Sequence, residues 1–110
     1  MNFLYGTIFT GLPKNVNNHS RNVCIFANGE VDRSPTGTGV SARAAIIFKR
    51  GEIDIGDSIT IESIIGSVFS VKISETINFG KYEAIIPEVC GTAYLTGKNS
   101  FWINPEDPLK

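Results

Sequence analysis

The sequence predicts an α+β domain in which an antiparallel β-sheet wraps, as a half-barrel, around one central buried helix. Two observations lead there. A single run, from about Thr38 to Lys49, carries helical periodicity and is apolar nearly all round, so it needs cover on most sides. Every other ordered run is short, rich in β-branched and aromatic residues, and bounded by Gly, Pro or Asn, which is the signature of strands and turns. At 110 residues the chain is one domain-sized unit, long enough to bury a core, with no internal repeat and no low-complexity segment.

The elements follow in order. Phe3 to Thr10 alternates and reads as a strand. Gly11 to Arg21, with Pro13, three Asn and His19, is a loop. Asn22 to Ala27 is a second strand, apolar at almost every position and therefore expected at a sheet centre or buried on both faces. Asn28-Gly29 makes a turn. Ser34 or Thr36 is the candidate helix N-cap, with Pro35 in the first turn. Within the helix Val40, Ala44, Ile47 and Phe48 share a stripe, and Ala42, Ala45 and Ile46 make the remainder apolar. Lys49 and Arg50 suit the negative helix end, and Gly51 the position just beyond it. Four further strands are expected: Ser58 to Glu62, Ser67 to Ser74, Tyr82 to Ile86 and Val89 to Leu95. The tail is apolar at Phe101-Trp102-Ile103, then acidic and Pro-rich.

The stretch from Asp32 to Ala45 organises the rest. It leaves a strand, passes a turn bearing Gly37 and Gly39, and enters the helix. The first N–H groups of a helix have no intrahelical partner and sit at the positive end of its dipole, so the turn is suited to a carboxylate. Asp32 stands at its mouth, where its own carboxylate suits a cationic group. The two together suggest an amino-acid ligand. Asp32 also has a plain structural alternative as a residue that caps the helix entry, and glycines in a bare Gly-x-Gly are ordinary turn residues. No Lys-Ser/Thr pair follows them, which excludes a phosphate-cradling Walker loop.

Asp32-Arg33-Ser34-Pro35-Thr36-Gly37-Thr38-Gly39 resembles the second active-site motif of the proline racemase family, in which Cys stands where this chain has Thr36. The Thr form is similar to the family's trans-3-hydroxy-L-proline dehydratase branch. The resemblance extends through Asn22 to Asn28, through Glu62-Ser63-Ile64-Ile65-Gly66-Ser67, and to Asn104-Pro105-Glu106-Asp107-Pro108. It therefore covers nearly the whole chain, as the family's C-terminal half. The resemblance implies a diaminopimelate epimerase-like lobe over residues 1–91 and, over 92–110, a tail that completes the other domain. Tyr94, Leu95, Phe101 and Trp102 would then need a partner surface, and either a homodimer with tail exchange or a first-domain polypeptide is expected.

The family's chemistry uses two cysteines, one from each domain, as acid and base on opposite faces of an α-carbon, their thiol pKa lowered from about 8.5 at helix starts. A threonine hydroxyl does not titrate in that range. Two-base racemisation is expected to be lost, while a one-base elimination of water from a hydroxyproline survives, without a cofactor. The resemblance implies a catalytic role for Thr36, orienting the leaving hydroxyl or a water. It also implies that Asp32 pairs with the ring nitrogen and that the Gly37 and Thr38 N–H groups hold the carboxylate. The other cysteine, from a Met-Cys-Gly-His-Gly-like element, has no counterpart in this sequence. Two alternatives stand beside the dehydratase: a racemase or epimerase with a changed cysteine, and a non-catalytic domain that self-associates.

Composition narrows the partners. Ten basic and eleven acidic residues give a net charge of −1 without runs of either sign, against nucleic-acid or anionic-membrane binding. No apolar stretch approaches the roughly 20 residues of a membrane span, and Met1 to Gly6 lacks the pattern of a signal peptide, so a cytoplasmic protein is expected. Cys24, Cys90 and the single His19 are too dispersed for a metal site, and both cysteines are expected as buried thiols. His19 is expected at the surface, Arg33 and Arg43 as structural or solvated residues, and Glu62 as a support of either the pocket or the sheet.

Overall fold

In a computed structural model, which describes residues 3–109, one five-stranded sheet carries one helix on one of its faces. The elements are β1 (Gly6–Gly11), β2 (Ser20–Phe26), α1 (Gly37–Lys49), β3 (Ser58–Glu62), β4 (Val68–Phe79) and β5 (Tyr82–Gly91), and the strands lie in sequence order across the sheet. Met1, Asn2 and Lys110, on which part of the signal-peptide reading and the outer ends of the two expected segments fall, lie outside the described residues.

Three neighbouring pairs are antiparallel, as expected, but β2 and β3 are parallel. The crossover between them contains α1, and a helical connection is what a parallel pair requires. Their ladder is short, only Ser20 with Ile61 and Arg21 with Glu62. Beyond it the chain entering the helix takes over the place beside β2: Val31 bridges Ile25, and the Asp32 N–H donates to the Cys24 carbonyl at 3.0 Å.

The core forms where α1 meets β4 and β5. Val40, Ala44 and Ile47 pack with Ile53, Ile61, Val71 and Ile73. Each apolar side chain so buried contributes about 1.5–3 kcal/mol. Helix residues Ala42 and Ile46 remain exposed, so among the described residues α1 is covered along one stripe rather than wrapped. The apolar remainder of the helix suggested fuller cover than this sheet provides.

The strand expectations require four further corrections. β2 is not the central strand; it lies second, and its buried positions are Ser20, Asn22 and Cys24. β4 runs past Ser74 to Phe79, through a register shift between Ile73 and Glu75. Pro87 does not divide β5, because this is the outer strand of the sheet, where a missing N–H can face away from the ladder. β5 ends at Gly91, where Phe69 lies so close that any Cβ would overlap its ring. Residues 92–109 form no helix or strand, and Leu95 and Trp102 are 95% and 97% exposed. The radius of gyration, 17.7 Å, accordingly exceeds the roughly 13 Å of a packed chain of this length.

Candidate active site

The loop from Val31 to Thr36 is held by its own side chains. The Ser34 N–H donates to Asp32 Oδ1 at 2.8 Å, the Thr36 hydroxyl donates to Asp32 Oδ2 at 2.8 Å, and the Thr36 N–H donates to Ser34 Oγ at 3.0 Å. Asp32 thereby closes a turn over the next four residues, the structural role that the sequence left open for it. Each carboxylate oxygen keeps a lone pair for a further donor. Burial favours the neutral acid, but the hydrogen bonds from the Ser34 backbone and from the Thr36 and Ser34 side chains outweigh it, so the Asp32 pKa lies below its ordinary value. It is a carboxylate at neutral pH.

Thr36 adopts φ 69° and ψ 108°, the only positive φ at a non-glycine residue among those described. A β-branched residue there costs on the order of 1–3 kcal/mol, and it persists where surrounding bonds over-determine it. The two hydrogen bonds of Thr36 do so. They also correct the expected capping: Thr36 occupies the N-cap position but its side chain makes no capping bond, having turned to Asp32, and Pro35 precedes the helix. The first helical bond is Val40 N–H to the Thr36 carbonyl at 2.8 Å. The first turn has no acidic residue, and Gly37 and Thr38 are exposed. Their N–H groups, at the positive end of the dipole, receive no capping bond from the Thr36 side chain. Gly39 is buried, and its missing Cβ leaves the space that Ile8 Cδ1 fills.

A cleft of about 810 Å³ opens beside the loop, lined by Asp32 and Ser34 on one wall and by Ile65, Phe69 and Tyr94 on others. Asp32 belongs to both the cleft and the hydrogen bond to Thr36. Thr36, Gly37 and Thr38 do not line the cleft themselves.

One supporting residue, Asn22, was given no role by the sequence. Asn22, fully buried, accepts from Arg43 Nη1 at 2.6 Å and donates from Nδ2 to the Pro35 carbonyl at 3.5 Å, tying strand, loop and helix together. Its only signal was a polar side chain opening an apolar run. Arg43 is structural, as one of its two readings had it. Glu62 accepts from Lys14 N–H (2.9 Å), Asn15 N–H (2.8 Å) and Asn18 Nδ2 (2.9 Å), and Arg21 Nε lies 3.4 Å away. These donors hold its pKa down to about 2 against the opposing effect of burial. Glu62 thus anchors the loop after β1. His19 is exposed, with its ring on Ser20 Oγ at 3.0 Å and its pKa lowered by desolvation and by the nearby Arg43. Cys24 is buried as expected, whereas Cys90 is exposed at the outer strand. Among the described residues no group of three or more His, Cys, Asp or Glu side chains converges as a metal site would require. No helix among the described residues is long and apolar enough to cross a membrane.

The family model described as proline racemase matches residues 1–110. A trans-3-hydroxy-L-proline dehydratase of Colwellia psychrerythraea is 54% identical over 110 residues, 100% of this chain and 31% of that protein. A proline racemase of Acetoanaerobium sticklandii is 48% identical over 98 residues, 89% of this chain and 29% of the relative. A hydroxyproline epimerase structure from Agrobacterium vitis, with bound trans-4-hydroxy-L-proline, superposes with a TM-score of 0.79 at 32% identity, over 96% of this chain and 30% of that one. The chain spans less than a third of the length of each.

Proposed function

Because the chain belongs to the proline racemase family, we propose that it is the C-terminal, substrate-clamping lobe of a cofactor-independent trans-3-hydroxy-L-proline dehydratase. The observation that carries this proposal is the Thr36 hydroxyl, fixed 2.8 Å from the Asp32 carboxylate at the start of α1. An imino acid is a zwitterion. Its carboxylate docks on the N–H groups of Gly37 and Thr38, and its ring ammonium on Asp32, whose depressed pKa keeps it charged. Thr36 has committed its proton to Asp32, so it presents lone pairs and orients the substrate's 3-hydroxyl by accepting from it.

The α-proton is taken by a thiolate of the other domain. The electron pair left on the α-carbon forms the ring double bond as the 3-hydroxyl takes up the proton now held by the thiol and departs as water, which restores the thiolate. The enamine then tautomerises to 1-pyrroline-2-carboxylate. One base suffices for elimination, whereas inversion needs a proton donor on the opposite face, and an alcohol is too weak an acid to serve as a thiol does. The same comparison separates this proposal from a racemase or epimerase. In this account residues 1–91 form a diaminopimelate epimerase-like lobe, and residues 92–110 cover the other domain with Tyr94, Leu95, Phe101 and Trp102, all exposed here.

The test is to assemble this lobe with the cysteine-bearing domain and add trans-3-hydroxy-L-proline. Formation of 1-pyrroline-2-carboxylate, lost in Asp32→Asn, is expected; an assembled enzyme that binds the imino acid without releasing water contradicts the proposal.

A further inference from the structure

The loop that carries Asp32 and Thr36 lies in a wedge. One side rests on β2, through Asp32 N–H to the Cys24 carbonyl and Asn22 Nδ2 to the Pro35 carbonyl. The other side faces the turn after β3, because β3 ends where the loop takes over its position. There Ser67 Oγ donates to the Arg33 carbonyl at 3.2 Å. Ser67 is itself fixed: Ser63 Oγ lies 2.7 Å from Ser67 Oγ and accepts from the Ser67 N–H at 3.1 Å, while the Ser63 N–H donates to the Ser67 carbonyl at 2.8 Å. Ser63 is fully buried at the end of β3.

We propose that Ser67, braced by Ser63, is a positioning residue that fixes the Asp32–Thr36 pair by holding the backbone between them from the side opposite β2. Arg33 is the residue directly after Asp32, so its carbonyl direction sets the peptide plane that presents the Ser34 N–H to Asp32 Oδ1. Without the Ser67 hydroxyl the loop is held from one side only and the Thr36 hydroxyl drifts from the carboxylate. This inference rests on Thr36 and Asp32 facing the substrate, but its first consequence concerns the loop alone. Ser67 also lines the cleft beside Asp32, so a direct substrate contact is the competing role.

Two readouts separate the cases. In this chain, the Asp32 carboxyl titration followed by ¹³C NMR is expected to move up toward its ordinary value in Ser67→Ala and to return in Ser67→Thr, which keeps the hydroxyl. If Ser67→Ala does not fold, Ser67→Val against Ser67→Thr makes the same comparison between side chains of one shape. In the assembled enzyme, kcat is expected to fall by about 10- to 100-fold with KM within about twofold, as misplacement of a reacting group does. An Asp32 titration indifferent to the loss of the hydroxyl overturns the proposal. So does a rise in KM at unchanged kcat, which assigns Ser67 to substrate binding. The titration stands even where the assembled enzyme proves to catalyse another reaction.

Discussion

Thr36→Val isolates the hydrogen bond on which the site is built. Valine keeps the shape and the β-branch, so the cost of φ 69° is common to both proteins and cancels. What is lost is one donor to a carboxylate at 2.8 Å. A hydrogen bond to a charged group contributes about 1.5–3 kcal/mol, and because Asp32 is half-buried water replaces part of it, leaving about 1–1.5 kcal/mol at pH 7. For a domain of this size that lowers Tm by about 5–10 °C. The pH dependence has a definite sign. The Asp32 pKa is depressed in the folded state, so its contribution is present above the unfolded value and fades as pH falls through the folded one. The stability gap between wild type and Thr36→Val should therefore narrow in acid. Urea unfolding at pH 7 and pH 2 measures it, and other acid-sensitive groups cancel because both proteins carry them. No gap at pH 7, or an equal gap at both, refutes the reasoning.

Other consequences are as direct. Glu62→Gln should destabilise the chain above about pH 4.5, and the difference should vanish as pH falls toward 2, since the folded pKa is held near that value; urea midpoints across that range check it, and a pH-independent difference contradicts it. Asn22→Ala leaves Arg43 without its buried acceptor and should cost about 1–3 kcal/mol, largely recovered when Arg43→Met removes the other partner. Equal costs in single and double variants would show that the pair is not coupled. Gly39→Ala gains about 1 kcal/mol of helix propensity but meets Ile8 Cδ1, and crowding of this kind costs about 1–3 kcal/mol. A net loss relieved by Ile8→Val is expected in thermal melts; a gain in the single variant contradicts the packing. In the assembled enzyme Asp32→Ala should lower kcat/KM by about 30-fold or more, the effect of losing about 2 kcal/mol of charge pairing.

The parts of the molecule that follow local rules were legible in the sequence. The limits of α1 and β3 are where periodicity, Gly51 and the β-branched run placed them. The parallel register of β2 and β3 was not, because it depends on a crossover whose handedness and length no single segment encodes. The continuation of β5 through Pro87 was missed for a similar reason: Pro breaks a strand only where its N–H is needed, and that depends on which strand is outermost. At the candidate site, one contiguous motif singles out Asp32, Thr36 and the helix start, and the structure brings Asp32 and Thr36 into direct contact. Thr commonly caps helices, but here the nearer Asp32 carboxylate competes for the same hydroxyl. Glu62 binds partners 41 or more residues away and Ser67 reaches the Arg33 carbonyl 34 residues away, and nothing in their own neighbourhoods announces those partners.

The most direct test of the central claim is the product formed at the α-carbon. Wild-type assembled enzyme and its Thr36→Cys variant are incubated with trans-3-hydroxy-L-proline in D₂O and followed by ¹H NMR. The account predicts that the threonine enzyme releases water and yields no epimer, while the cysteine variant gains inversion with deuterium at the α-carbon. Inversion by the wild-type enzyme, with Thr36 in place, would contradict it.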